Sequence, residues 1–243
     1  MDGIAQIDHA ESLRSVLEDV AQHGVPGLRS AEVLDVGSGP FLDYFSREIL
    51  DGLVARGGAT CRFIEGSYGA GKTHLLRLLQ ARGLGRGMAV CWLELTQVLR
   101  LEDWDQIVRH ILQTIEIEVD GQVIRTLPAI LEVLAPEFDD DPLDRFREFH
   151  VPHPGFKNAM LRVIGEVREG CAPTTSTRGF LLGERVTVTA LAADGVRDVR
   201  YPLSKRNAEA TMATVLTGLY HFGIPGVMLL FDENEKTLES SGR

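Results

Sequence analysis

The stretch FIEGSYGAGKTHLL, residues 63–76, decides how the rest of the chain is interpreted. Four of its residues stand at the spacing G-x-x-x-x-G-K-[ST]: Gly66, Gly71, Lys72 and Thr73. Residues 61–64 end in an apolar pair, which predicts a short buried strand, and residues 74–79 are apolar at helical spacing. We therefore expect a strand, a glycine-rich loop and a helix in that order.

This spacing is that of the phosphate-binding loop, or Walker A motif, of P-loop nucleoside triphosphatases. Glycine adopts backbone angles closed to other residues, so consecutive N–H groups can turn inward around a phosphate at the start of the helix. Lys72 is expected to reach the β and γ phosphates of ATP, and the Thr73 hydroxyl to hold Mg²⁺. The predicted nucleotide contacts of this segment are Gly66, Ser67, Tyr68, Gly69, Ala70, Gly71, Lys72, Thr73 and His74.

A partner motif lies near the end of the chain, where the apolar run GVMLLF, residues 226–231, closes on Asp232 and Glu233. An unbroken apolar run predicts a central parallel strand that is buried on both faces. Ligands of open α/β sheets bind beyond the carboxyl ends of the strands, where these two carboxylates would emerge. Asp232 suits the Walker B role of holding Mg²⁺, and Glu233 suits catalysis by polarising the attacking water.

Composition restricts the compartment and the partners. The chain has 243 residues, 44% of them hydrophobic, which is enough for a large α/β domain. Its net charge of −10 does not favour DNA as a partner, although a local basic patch stays open. The N-terminus lacks a signal-peptide pattern, no apolar run approaches the ~20 residues of a membrane span, and the three cysteines form no pair or zinc motif. These features predict a cytoplasmic protein that does not contact membranes.

The remaining segments surround the two motifs. Residues 1–30 contain an amphipathic helical pattern, and residues 31–243 are predicted to form the P-loop domain. From residue 73 to 232 the chain runs 159 residues (232 − 73), more than two βα units need, so a mostly helical insertion is expected over about 98–203. A strong helix over 204–220 then leads into the last strand.

Val36 and Gly37, in the stretch LDVGSGPF of residues 34–41, allow two interpretations. They are typical of the segment that lies over the adenine in AAA+ ATPases, followed by a helix over residues 41–54. The alternative is the glycine loop of S-adenosylmethionine-dependent methyltransferases, although Phe41 stands where the third glycine should be. The first interpretation is favoured, since an incomplete glycine motif is weak evidence.

The combination of RFIEGSYGAGKTHLLRLL, the segment GFLLGE at residues 179–184, Asn207 and the ending GIPGVMLLFDENE resembles the ATP-binding proteins of bacteriophage-exclusion (BREX) systems, of the BrxC/BrxD type. The resemblance covers residues 33–235. It implies an AAA+-like P-loop ATPase of antiphage defence, with ATP and Mg²⁺ as ligands. Other subunits of a defence complex, or further copies of the chain, are the implied partners, and DNA is a further one.

The chain ends ten residues after Glu233, before the sensor strand and lid that the resemblance leads one to expect. A C-terminally incomplete chain that is inactive alone is therefore expected. The leading function is an ATPase that couples nucleotide binding or hydrolysis to conformational change in a larger complex. The alternatives are a nucleotide-dependent scaffold that does not hydrolyse ATP and, less favoured, a methyltransferase.

Overall fold

The computed structural model describes residues 31, 34–67, 69–96, 98–138 and 140–232. The chain divides into two compact units, Met1–Arg86 and Gly87–Arg243. The helical pattern predicted within residues 1–30 and the catalytic candidate Glu233 lie outside the described residues.

The described part of the first unit is helical. Helix α1, Gly39–Tyr44, continues as a π-helical turn over Phe45–Asp51 and a 3₁₀ turn over Val54–Arg56, so the helix predicted over 41–54 is present with two changes of winding. Its apolar stripe is buried at Leu42, Ile49 and Leu50, as the spacing predicts. Helix α2, Lys72–Leu84, follows the glycine-rich loop.

The strand predicted at residues 61–64 is not formed, and that prediction is wrong. Residues 61–63 are exposed, Phe63 to 86%, and no described strand pairs with this segment. An extended segment becomes a strand only where a neighbour supplies hydrogen-bond partners for its N–H and C=O groups. Apolar character alone was therefore not sufficient.

The second unit contains a four-stranded mixed sheet of order β3–β2–β1–β4. The strands are β1 Ala89–Glu94, β2 Glu116–Val119, β3 Gln122–Arg125 and β4 Val227–Asp232. Among the described strands only β1 and β4 pair in parallel, so the expectation of a parallel sheet is corrected. Strand β4 exists as predicted and none of its residues is exposed, in line with the predicted burial of both faces. Among the described residues it pairs with β1 only, so its predicted central position is corrected.

A two-residue turn makes the sheet mixed. Strands β2 and β3 pair antiparallel around Asp120 and Gly121, whose φ angles are 51° and 75°. Positive φ at both central residues of such a turn matches the right-handed twist of the two strands, and Asp-Gly is a preferred pair for it. A hairpin this tight can only be antiparallel, which makes the sheet mixed.

Helices cover the apolar face of this sheet. The described helices of the second unit are α3 Trp104–Thr114, α4 Leu127–Leu134, α5 Asp140–Glu148, α6 Pro154–Arg168, α7 Thr175–Leu181, α8 Val188–Ala193 and α9 Ala208–His221. Their apolar stripes join Ala89, Cys91 and Leu93 of β1 in one core. The predicted mostly helical region of about 98–203 is thus confirmed in character, with the hairpin β2–β3 as its addition to the sheet.

Candidate functional site

The glycine-rich loop has the backbone that its sequence predicts at two of three positions. Gly69 and Gly71 have φ angles of 78° and 84°, in the left-handed region that favours glycine. Gly66 is not left-handed, but a Cβ there would lie 3.3 Å from the Ala70 Cβ, closer than most real contacts. The loop folds back on itself at this point, so there is room only for small residues at positions 66 and 70.

Helix α2 begins at Lys72 with Gly71 as its N-cap, and no side chain caps it. The N–H groups of a helix's first turn have no partner within the helix, so they attract acceptors and anions. The regular α-helical hydrogen bonding begins at the end of this turn, where Leu75 N–H donates to the Gly71 carbonyl at 2.9 Å. A glycine at the cap leaves the space in front of the helix open.

The Lys72 ammonium lies inside the loop. Its Nζ donates to the carbonyl oxygens of Gly66 at 2.9 Å and Ser67 at 3.2 Å. The folded-back side chain thus places a positive charge beside the first turn of α2, six residues along the chain from Gly66. This arrangement presents a cation and a helix N-terminus to one volume, which is the combination that recognises phosphate.

The other predicted nucleotide contacts are placed as follows. Ser67, Gly69 and Ala70 are exposed in the loop, Thr73 and His74 are half-buried in the first turn of α2, and Tyr68 lies outside the described residues. Val36 and Gly37 lie in the bend before α1, where Val36 is 95% exposed and Gly37 has φ 92°. The bend is held by Ser38 N–H, which donates to the Asp35 carboxylate at 3.2 Å.

Asp232 is the last residue of β4, in the second unit, and is half-buried. The parallel register pairs it with Glu94, the last residue of β1, so two carboxylates stand side by side at the carboxyl edge of this strand pair. Glu94 was not predicted as a candidate. The same signal that singled out Asp232, a carboxylate that ends an apolar run, is present in AVCWLE and could have found it.

The segment GFLLGE has a structural role in the second unit. Gly183, with φ 71°, follows the end of α7, and Glu184 N–H donates to the Gly179 carbonyl at 2.9 Å, which closes the helix in a Schellman turn. Helix α3 then holds this turn, since Arg109 donates to the Gly183 carbonyl and Gln113 to the Leu182 carbonyl. A cation beside the carbonyls of a helix end is favourable.

One histidine and one cysteine of the second unit are buried, and both take part in packing. His153 is the N-cap of α6, and its Nδ1 accepts a hydrogen bond from Phe156 N–H at 3.0 Å. Because the ring is buried, the pKa of His153 is lowered. Cys91 is buried in the core, and burial raises the pKa of its thiol to about 11, whereas Cys61 and Cys171 are exposed free thiols. Within the described ranges no group of His, Cys, Asp and Glu is arranged to hold a metal ion.

Comparison with protein families gives one assignment. The model of the family described as BREX system ATP-binding protein BrxC/D matches residues 12–167, more than half of the chain. The chain belongs to this family. The match includes the glycine-rich loop and α2 and ends before GFLLGE and β4, so the BrxC/D assignment rests on the first of the two predicted motifs.

Comparison with curated proteins gave no match, and comparison with solved structures gave none. None of the described helices has the length and apolar character that a membrane crossing requires. The α/β class and the family are therefore established, whereas the roles of single residues are matters for proposal.

Proposed function

We propose that this BrxC/D protein binds Mg²⁺-ATP through residues 66–74, in a P-loop fold, as part of an antiphage defence system. The observation that carries the proposal is the Lys72 ammonium, held between the Gly66 and Ser67 carbonyls in front of the uncapped N-terminus of α2. The family's description as ATP-binding supports the same ligand.

The chemistry follows from what surrounds Lys72. A polyphosphate oxygen is a charged acceptor, and charge-assisted hydrogen bonds to an ammonium are stronger than bonds to neutral carbonyls such as those of Gly66 and Ser67. Gly69 and Gly71 adopt left-handed backbone without strain, which allows the N–H groups of the loop to turn toward an anion. The exposed loop gives the phosphates access from solvent.

The metal and the reaction extend this proposal. Mg²⁺ neutralises phosphate charge when bound, and the two motifs assign it one ligand each: Thr73 in the first unit and Asp232 in the second. Glu233 would polarise the water that attacks the γ phosphate, and Glu94 beside Asp232 adds a second carboxylate at that strand edge. Hydrolysis would drive conformational change in a larger defence complex, with other subunits or further copies of the chain as partners.

Lys72→Ala tests the binding step. Hydrogen bonds to charged groups contribute about 1.5–3 kcal/mol, so calorimetric titration with Mg²⁺-ATP should show affinity roughly 10- to 150-fold weaker. Lys157→Ala is the matched control: its Nζ also donates to two backbone carbonyls, those of Arg147 at 2.7 Å and Phe149 at 3.0 Å, but far from the glycine loop in sequence. Equal affinity of the Lys72 variant and the wild type would refute the loop as the phosphate site.

Turnover separates an ATPase from a nucleotide-dependent scaffold. Glu233→Gln should retain ATP affinity and stop phosphate release, because an amide cannot polarise water as a carboxylate does. Asp232→Asn should instead raise the Mg²⁺ concentration needed for binding. A wild-type chain that binds ATP without releasing phosphate, also when its BREX partners are added, would favour the scaffold.

The methyltransferase alternative needs a strand that ends at Gly37. In the described part of the chain, residues 34–38 form a turn and bend that lead into α1, and no strand ends there. Titration with S-adenosylmethionine should accordingly give no heat. Saturable binding that Gly37→Val abolishes and Lys72→Ala leaves intact would revive the methyltransferase.

A further inference from the structure

The connection between α8 and α9 carries a basic loop, VRDVRYPLSKR, residues 196–206. It contains four cationic residues and one acidic residue in a chain of net charge −10: Arg197, Asp198, Arg200, Lys205 and Arg206. All four cations are exposed, whereas Val196, Val199 and Leu203 are 2%, 8% and 9% exposed. The apolar residues therefore fix the loop to the core, and the cations face solvent.

The basic loop is held in one conformation by two helices. Asn158 of α6 donates through Nδ2 to the Arg197 carbonyl at 3.1 Å and to the Asp198 carboxylate at 3.0 Å. Asn207 donates to the Pro202 carbonyl at 3.1 Å and accepts from Ser204 N–H at 2.8 Å. A loop fixed at both ends loses little entropy when a ligand binds to it.

The charges of this loop are largely unneutralised. Lys205 Nζ donates to the Asp103 carboxylate at 2.6 Å. No described carboxylate forms an ion pair with Arg197, Arg200 or Arg206. The arginines of α5, α6 and α7, by contrast, are each paired with a carboxylate. Asp103, Asp105 and Glu102 lie close enough to Lys205 to offset its charge, so the positive charge of the patch comes from the three arginines.

An exposed aromatic ring stands among these cations. Tyr201 is 64% exposed and lies directly after Arg200. An aromatic ring in water keeps a large apolar face unburied, and rings of this kind are used to stack on planar partners. Cations that contact a phosphate chain and a ring that stacks on a base are the two elements of single-strand nucleic-acid binding.

We propose that the basic loop binds the backbone of a single-stranded nucleic acid, with Arg197, Arg200 and Arg206 on phosphates and Tyr201 stacked on an unpaired base. Residues 196–206 lie beyond the family match, and the proposal does not depend on nucleotide binding at Lys72. It explains how an acidic chain can contact nucleic acid through a local patch, because counterion release depends on the contacts made and not on the net charge.

The test is fluorescence anisotropy of the whole chain with single-stranded DNA of about 20 nucleotides, over a range of salt concentrations. Each phosphate contact to a single strand contributes about 0.7 to the slope of log K against log salt. The triple variant Arg197→Ala, Arg200→Ala, Arg206→Ala should therefore lower the slope by about 2 and weaken binding roughly 100-fold at about 0.1 M salt. Tyr201→Ala should weaken single-strand binding roughly 5- to 100-fold, whereas Tyr201→Phe should leave it unchanged. Neither variant should change the affinity for duplex DNA.

A second triple variant controls for net charge. Arg125→Ala, Arg145→Ala and Arg147→Ala remove the same charge from arginines that are paired with carboxylates, and they should leave the slope unchanged. Equal loss in both triple variants, or no binding by the wild type at low salt, would overturn the proposal. Equal affinity for polyglutamate of matched charge would also overturn it and make an acidic polypeptide the occupant. Circular dichroism of each variant must match the wild type for the comparison to count.

Discussion

The packing of α6 against the basic loop makes opposite predictions for two glycines of one helix. Gly155, in the first turn of α6, lies so close to the loop that a Cβ would be 2.6 Å from the Asp198 carbonyl oxygen and 2.8 Å from a Val199 methyl. Gly165, near the other end of the same helix, has nothing within 4 Å of an added Cβ. We therefore expect Gly155→Ala to destabilise the protein and Gly165→Ala to stabilise it.

The magnitudes follow from two known effects. Replacing glycine by alanine in a helix gains about 1 kcal/mol at most, because the unfolded chain loses conformational freedom. At Gly165 this gain is unopposed, since the new methyl enters a cavity of about 300 Å³ between α5 and α6. At Gly155 the methyl meets backbone, and overpacking costs about 1–3 kcal/mol. The helix gain applies to both variants and cancels, so their free energies of unfolding should differ by about 1–3 kcal/mol.

The assay is urea unfolding followed by tryptophan fluorescence. Both tryptophans of the chain, Trp92 and Trp104, lie in the second unit, so the signal reports the unit that contains α6. The slope m of each curve should stay unchanged, which shows that stability and not the unfolded state has altered. If Gly155→Ala stabilises as much as Gly165→Ala, the close approach of α6 and the basic loop is refuted.

Three further predictions concern the second unit. Burial lowers the pKa of His153, so the folded state keeps the ring neutral, and stability should fall as the pH drops below the ordinary histidine pKa of about 6.5. His153→Asn keeps a capping acceptor and should remove this part of the loss in urea unfolding at two pH values; an unchanged pH dependence would contradict the assignment. Gly121→Ala should cost about 1–2 kcal/mol in the same assay, because its φ of 75° is left-handed, and a smaller loss would mean that the hairpin turn relaxes. Iodoacetamide should modify the two exposed cysteines of the native chain and spare Cys91, as read by mass spectrometry of its peptides; rapid labelling of Cys91 would show that its strand opens.

The sequence alone was sufficient for elements whose cause is local. Glycine spacing and the helical periodicity of residues 74–79 predicted a loop with Gly69 and Gly71 and a helix after it, and the structure has both, with the helix starting at Lys72. The apolar run of residues 226–231 likewise predicted strand β4. The hairpin β2–β3 was also readable in principle, because Asp120-Gly121 between alternating residues is a turn signal.

Tertiary structure alone decided which strands pair and which residues meet. Residues 61–64, which end in an apolar pair, formed no strand, since pairing needs a neighbour that no local pattern can specify. The register that sets Glu94 beside Asp232 depends on two segments more than a hundred residues apart. The basic loop reads as an irregular connection in sequence, and only its packing shows that Val196, Val199 and Leu203 turn inward while the arginines stay in water, because burial is a property of the assembled core.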